Sequence, residues 1–529
     1  MFDYLVIGGG SAGCVLAARL SEDPAVGVCL LEAGPTDKSV LIQCPAGLVV
    51  MAQMRTANWA FETVPQPGLN GRRGYQPRGR VLGGSSSINA MCCVRGARED
   101  YDRWAAGGAA GWGFDDLLPY FKKSENNERG ANAHHGTGGP MNVMDLRSPS
   151  RFGPVFIEAA VQAGFVENDD FNGPVQEGVG SYQVTQKGGE RWSAAKGYLA
   201  PNLGRKNLTV MTGAHVTRIL FEGKRAVGVA ARVNGALLEL RATREVLLCG
   251  GSLQSPQLLM LSGIGPGAEL QRHGITIVHE LSGVGANLHD HVDVVQVVDA
   301  PGLTELLSVS LPGAVNAIRG VFDWRDTRGG ILTTNFAEAG GFVKSSPAQA
   351  LPDLQLHFVI GKLIDHGRKP MFGHGYSCHV CLLRPQSRGS VKLASTDAFT
   401  APLIDPNFLG EFEDLACLVR GFKIARHILR QPALTAYRGT ELKTSASAQT
   451  DTQIEQFVRN HADTIYHPVG SCRMGTGATD VVDTQLRVHG VQALRVVDAS
   501  IMPNIVGGNT NAPVIAIAEK AAELIKSNA

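Results

Sequence analysis

Two unbroken apolar runs mark the start of the chain: Tyr4-Leu-Val-Ile7, and Val28-Cys-Leu-Leu31 ending in Glu32. Runs without polar alternation predict strands of a parallel sheet covered on both faces. Between them Cys14, Leu16, Ala17 and Leu20 recur with the spacing of one helix face, so residues 3–34 read as strand, helix, strand. The same texture returns far downstream. There is a strand at 245–249 with a helix through Ser255-Pro-Gln-Leu-Leu-Met-Leu261, a strand at 494–498, and a long amphipathic helix over 511–526. These distant pieces are expected to complete one sheet. A different texture lies between them. Leu354-Gln-Leu-His-Phe-Val-Ile360 and Gly389-Ser-Val-Lys-Leu393 alternate, which predicts antiparallel strands, half exposed to solvent or half facing a substrate. Helical periods near 413–430 and 452–461 flank them, with no repeat or low-complexity linker in between.

The predicted fold class is therefore α/β, with a Rossmann-like domain assembled from residues 1–155, 205–300 and 460–529. A discontinuous antiparallel-sheet domain of α+β character takes 156–204 and 301–459. Composition changes this picture little. Glycine is abundant, 64 of 529 residues against a usual ~7%, which suggests tight turns and close backbone approaches. Lys plus Arg number 49 and Asp plus Glu 48, and a net charge of +1 supplies no field to recruit nucleic acid. The ten cysteines are scattered. Only Cys378-His-Val-Cys381 makes a C-x-x-C, and its alternation reads as a strand, not a zinc knuckle. They are expected to be reduced, buried thiols of a cytoplasmic protein. No basic n-region precedes the first strand, so no signal peptide is expected. The longest uncharged apolar stretch, 41–54, is broken by Pro45 and Gly47 and is too short to span a bilayer, but it leaves peripheral membrane contact open. His134 and His135 sit in a Gly/Asn-rich loop and are expected to be solvated.

The chemistry begins at Gly8-x-Gly10-x-x-Gly13, between the first strand and its helix. Gly8 permits a tight turn, Gly10 lets backbone approach a pyrophosphate, and Gly13 lets helix and strand pack closely. Glu32 lies 19 residues beyond Gly13, where a carboxylate accepts hydrogen bonds from ribose hydroxyls. This predicts dinucleotide binding without separating NAD from FAD. A second cluster, Arg78-Gly-Arg-Val-Leu-Gly-Gly-Ser-Ser-Ser-Ile-Asn-Ala-Met91, offers small residues and donors against which a flat ring system could lie. Its apolar flanks argue against a flexible linker. Near the far end, His467 stands before Pro468, which biases it to an extended conformation. An imidazole suits removal of a hydroxyl proton near neutral pH. Asn509 follows 42 positions later in Asn-Thr-Asn, with Asn511 as its rival; either could instead cap the last helix.

At this point the chain resembles the glucose-methanol-choline (GMC) family of FAD oxidoreductases. The resemblance rests on Gly8 to Gly13 with Glu32, on Gly79 to Gly96, on Gly251-Ser-Leu-Gln-Ser-Pro-Gln-Leu-Leu-Met-Leu-Ser-Gly-Ile-Gly265, on Gly283-Val-Gly-Ala-Asn-Leu-His-Asp290 and on Val497-Asp-Ala-Ser-Ile-Met-Pro503. Within the family, Trp59 with Phe61 and Glu62, and Glu338-Ala-Gly-Gly-Phe342, look most similar to bacterial choline dehydrogenases and membrane-associated aliphatic alcohol dehydrogenases.

The resemblance implies FAD, held between a flavin domain and a substrate domain. Gly8, Gly10, Ser11, Gly13, Glu32 and Ala33 would hold its ADP half. Val81, Gly84, Asn89 and Met91 would line the flavin and pyrophosphate, Val216 the adenine, Asp498 and Ala499 the ribityl phosphate, and Asn511 the pyrimidine end. Where some members attach FAD through histidine, this chain has Ile88, so non-covalent FAD is expected. His467 would be the base and Asn509 the second catalytic residue, with hydride passing from the carbinol carbon to flavin N5. The histidines flanking Asp290, His289 and His291, would be structural or near the flavin, and no metal is expected.

Glu338, with Phe336 and Phe342 as aromatic neighbours, either balances a quaternary ammonium or anchors a loop. The apolar stretch 47–52 could cover a hydrophobic tunnel. An uncharged primary alcohol, aliphatic or aromatic, is therefore expected as substrate, with quinone or oxygen as electron acceptor. The alternatives are a choline dehydrogenase and a flavin-retaining lyase on the same fold.

Overall fold

The computed structural model describes residues 1–364 and 368–527. Strand β1 (Phe2–Ile7), helix α1 (Ser11–Leu20) and strand β2 (Val28–Glu32) form the expected unit, and every position of β2 is buried. The first sheet has seven strands. Its parallel part runs Leu208–Thr212, β2, β1, Ala236–Leu248, Leu494–Val496, with registers such as Val6 to Leu30 and Val6 to Leu247. The long strand Ala236–Leu248 joins β1 through its last residues and turns antiparallel through its first, pairing with Arg225–Val233. Helix Asn511–Ser527 packs on α1, so the end of the chain closes the beginning.

The second sheet also has seven strands, all antiparallel, centred on Val292–Asp299, Gly375–Leu382, Leu354–Val359 and Ala337–Val343. One expectation changes here. Val292–Asp299 was grouped with the first domain, but it pairs with Gly375–Leu382 in this second sheet. Of the two alternatives for the alternating strands, solvent or substrate, the second holds: Leu354–Val359 and Gly375–Leu382 are buried at every position. Leu354, Leu356 and Phe358 pack into a core shared with helix Phe412–Leu429, while His357 and its cross-strand partner His379 face a cavity. Alternation marked a core face and a ligand face.

The stretch 41–54 folds as Val40–Gln43 and helix α2 (Gly47–Met54). Leu48, Met51 and Ala52 point into the cavity. Helix α3 (Leu311–Thr327) lies on the outside, capped by the Ser310 hydroxyl, which accepts from Gly313 N–H. No helix among the described residues is long and apolar enough to cross a membrane.

His135 departs from its expected solvated state. It is buried, with Nδ1 against Glu125 and Nε2 against Asp170, and Arg95 pairs with the same Glu125. Burial alone would lower its pKa, but hydrogen bonds to Asp170 and Glu125 raise it to about 9.

Candidate active site

A cavity of about 420 Å³ runs between the two sheets, from the first glycine loop to His467. Its dinucleotide end is built from backbone. Gly8 turns at φ +101°, and a Cβ there would stand 2.5 Å from the Cys249 carbonyl oxygen. A Cβ on Gly13 would stand 1.9 Å from Gly8 O, so α1 closes against the loop only with glycine at this position. Gly10 heads α1 without a side-chain cap, and a Cβ on it would meet no protein atom within 4 Å: this corner is open to the cavity. The unpaired N–H groups of the first helical turn are thus available to an anion. Glu32 accepts from Gly9 N–H at 2.8 Å and Gly34 N–H at 2.7 Å, with lone pairs left for hydroxyl donors. Burial pushes its pKa up to about 7, against the lowering by those backbone bonds. Asp498 accepts from Ser255 Oγ at 2.6 Å and Gly251 N–H at 2.8 Å.

All of the expected cofactor residues line this cavity except Gly13 and Val81. Gly13 acts from below, by packing. Val81 is fully buried and packs with Ile42 and Met51. Ile88 lines the cavity.

Glu338 requires a correction. It does not line the cavity; its carboxylate accepts from Ser150 N–H and Thr334 Oγ at 2.6 Å each. The strand register slips between Ala337 and Ala339, so a bulge at Glu338 breaks the alternation that would have put it on one face with Phe342. It anchors a loop.

At the other end His467 faces the cavity. Its backbone N–H donates to Asp290 at 2.7 Å, and Tyr466 before it holds φ +75°, with its carbonyl accepting from Arg78 at 2.6 Å. Asn509 stands beside His467, whereas Asn511 accepts from Ser11 Oγ at 2.6 Å at the head of α1.

The ring's protonation follows from its partners. His291 Nε2 lies 3.1 Å from the Leu383 carbonyl, which can only accept, so this nitrogen carries the proton. Burial lowers the His291 pKa to about 3, so the ring is neutral and its Nδ1 accepts. His467 Nδ1, 3.0 Å away, therefore donates to it. The His467 Nε2 lone pair is left facing the cavity, 3.3 Å from Asn509 Nδ2. Gln355 Nε2, 3.1 Å from Asn509 Oδ1, sets that amide's orientation. Burial, then the neighbouring His291, hold the His467 pKa well below its ordinary value.

The flanking histidines diverge. His289 Nδ1 meets Asn287 O at 2.7 Å and its Nε2 accepts from Ile505 N–H at 2.8 Å. Among the described residues no His, Cys, Asp or Glu group is gathered to hold a metal ion.

Sequence reasoning missed Gln355, His357 and the tautomer-setting role of His291. Gln355 and His357 occupy the polar positions of the alternating strand, which was the available signal. Nothing in the chain's order brings His291 to His467.

Comparison with known proteins adds three findings. The family described as GMC oxidoreductase matches residues 2–293 with its N-terminal model and 385–518 with its C-terminal model. The chain is 47% identical to alcohol dehydrogenase (acceptor) of Pseudomonas putida, covering 99% of this chain and 96% of that one, and 46% identical to mitochondrial choline dehydrogenase of Homo sapiens, covering 99% and 90%. Among solved structures, pyridoxine 4-oxidase of Mesorbium loti superposes with a TM-score of 0.88 at 31% identity over 99% of both chains.

Proposed function

The chain belongs to the GMC oxidoreductase family, whose members bind FAD, and it acts on alcohols; from that premise we propose that it oxidises an uncharged primary alcohol, aliphatic or aromatic, to the aldehyde with non-covalently held FAD. One observation carries the choice of substrate. Around His467 the cavity wall is Leu48, Phe336, Val359, Leu363 and Ile465, and the charged side chains among the described lining residues here are Arg78 and Arg368, the second already paired with Asp463 at 2.6 Å. The acidic lining residues described, Glu32 and Asp498, belong to the dinucleotide end. A quaternary ammonium would find no carboxylate among the described residues of this wall, whereas an apolar alcohol meets its like.

The residues fit a flavin dinucleotide: the corner open at Gly10, the uncapped helix start and the Glu32 carboxylate match phosphates and a ribose. When bound, FAD supplies the two-electron acceptor for the carbinol C–H bond. The chain's own part is proton handling. His467 Nε2 takes the hydroxyl proton. Asn509 Nδ2, beside that nitrogen, donates to the same oxygen as charge develops there. The Nδ1–H bond to His291 keeps the lone pair on the cavity side and holds the ring once it is charged. Ile88 supports non-covalent attachment, and the flavin colour should leave the protein on acid precipitation. The proposed electron acceptor is a quinone or oxygen: the Pseudomonas putida relative is named for an unspecified acceptor, and a Pseudomonas syringae relative at 45% identity is named as oxygen-dependent.

The test is anaerobic addition of 1-octanol, benzyl alcohol and choline to the holoenzyme while the visible flavin band is followed. Bleaching by the first two but not by choline is expected. Bleaching by choline alone would make the protein a choline dehydrogenase, and no bleaching by any alcohol would point to a lyase on the same fold.

A further inference from the structure

Four arginines are buried among the described residues: Arg95, Arg191, Arg426 and Arg495. Three of them meet a carboxylate, Arg95 with Glu125, Arg426 with Glu441 and Arg495 with Glu245. Arg191, 1% exposed, meets none among the described residues. Its Nε donates to Ile42 O at 3.1 Å. One Nη donates to Ser86 O at 3.2 Å, Asn89 O at 2.7 Å and Asn89 Oδ1 at 2.8 Å. These acceptors are all neutral. The other Nη is buried without a hydrogen-bond partner. Burial lowers the pKa to about 9, so the guanidinium is still charged at pH 7. Buried charges are normally paired, because neutral acceptors do not repay the loss of water around an ion. This cation lacks an anion that the chain itself could supply.

Its place says which anion fits. The segment that carries it runs along the second glycine loop. Ala194 N–H donates to Ser86 Oγ at 3.0 Å, and a Cβ on Gly83 would stand 3.3 Å from the side chains of Ser193 and Ala195. The same loop rests on the first one. Gly83 N–H donates to Gly9 O at 2.7 Å, and a Cβ on Gly84 would stand 2.6 Å from Gly10 Cα. The turn 84–89 thus spans from the guanidinium to the corner left open at Gly10. Arginine can only donate, so the Asn89 side-chain atom facing it is the oxygen. That oxygen also accepts from Met91 N–H at 3.1 Å. The Asn89 Nδ2 hydrogens are left for the cavity, which Asn89 lines.

We propose that Arg191 is a positioning residue that prepares this corner for the diphosphate of the cofactor. It turns the Asn89 amide so that the end presented to the cavity donates, and the bound dianion balances its charge. A mere staple of the loop would need the hydrogen bonds but not the charge. The inference rests on the binding of FAD and not on which alcohol is oxidised.

The experiment is release of FAD from the diluted holoenzyme, followed by the recovery of flavin fluorescence, with ADP and riboflavin as competitors for rebinding. ADP carries the diphosphate; riboflavin carries only the ring and its ribityl chain. In Arg191→Met the dissociation constants of FAD and ADP should rise on the order of tenfold or more, the scale of one charge interaction in a wall of low dielectric, while that of riboflavin stays within about twofold. Arg191→Lys keeps the charge and should hold FAD within several-fold of wild type. Asn89→Asp pairs the guanidinium inside the protein and removes the donor. It should melt no lower than wild type when both are stripped of FAD, yet lose FAD and ADP affinity as Arg191→Met does, and it carries the test alone if Arg191→Met does not fold. The proposal fails if Arg191→Met or Asn89→Asp binds FAD as tightly as wild type, or if ADP and riboflavin weaken together, which is the mark of a staple.

Discussion

Replacing His291 tests whether a neutral neighbour sets the catalytic tautomer. His291→Phe keeps a ring in the same space but removes the Nδ1 acceptor that stands 3.0 Å from His467 Nδ1. The His467 proton is then free to move to Nε2, the nitrogen that must be bare to act as a base. When His467 takes a proton, its Nδ1–H bond becomes a bond from a charged donor, worth about 1.5–3 kcal/mol. Losing it predicts a flavin reduction rate lower by roughly 10- to 150-fold. His291→Asn places an amide oxygen near the former Nδ1 and should keep the rate within several-fold of wild type. The assay is anaerobic stopped-flow reduction at saturating alcohol across pH. Because burial holds the His467 pKa well below the usual ~6.5, the base is neutral in the resting enzyme at pH 7. The wild-type rate should therefore stay flat through neutrality and fall only on acidification below that value. Wild-type reduction by His291→Phe, or an Asn variant as slow as the Phe variant, would refute the tautomer argument.

Gly10→Ala and Gly13→Ala should part company. The first adds a methyl group only to the cavity, so the protein should melt normally and lose bound FAD; the second meets Gly8 O at 1.9 Å and should not fold, as thermal melts and flavin-to-protein ratios will show. Glu338→Gln should cost about 1–3 kcal/mol in denaturant unfolding by leaving a buried donor, Ser150 N–H or Thr334 Oγ–H, facing an amide NH2, and leave the preference between choline and neutral alcohols unchanged. For His135 the folded pKa, about 9, lies above the unfolded value of ~6.5. Its stabilisation is therefore complete below pH ~6.5 and is lost as pH rises through 9, so the wild-type melting temperature should fall across that window. His135→Gln should melt lower at neutral pH and show little of that decline.

The parallel sheet was legible because its cause is local. A strand covered on both faces needs apolar residues at every position, and 4–7 and 28–31 show them without context. The glycine loop was legible for a similar reason: Gly8 and Gly13 each answer a clash within the loop or with the adjacent strand, and Gly10 leaves its corner open. What stayed open or went wrong has non-local causes. Alternation in 354–360 told that the two faces differ and left solvent or substrate open for the second; only the folded chain, with helix Phe412–Leu429 on one face and the cavity on the other, decides for the substrate. Glu338 alternates correctly with Phe336 and Phe342 in sequence, and a bulge of one residue undoes the inference. His135 lies in a loop whose Gly/Asn texture reads as solvent-exposed, while the groups that bury it, Glu125 and Asp170, carry no mark of pairing until the chain folds.

The site also differs in its electrostatics from a histidine base supported by a carboxylate on the ring, as in a Ser-His-Asp triad. A carboxylate is present, but Asp290 binds the His467 backbone N–H, and the ring nitrogens meet only neutral groups, His291 and Asn509. A carboxylate on Nδ1 would favour the imidazolium, and in so enclosed a place the ring could then stay protonated and idle. With a neutral acceptor, the ring remains a base at neutral pH but a weak one. A weak base needs help at the oxygen it deprotonates, and the help must not add a charge that raises or lowers its own pKa. An amide meets that requirement. Asn509 donates while remaining neutral, and Gln355 fixes which end it presents. His291, His467, Asn509 and Gln355 thus form one uncharged chain whose direction is set at its far end by the Leu383 carbonyl, a group that cannot reverse its role.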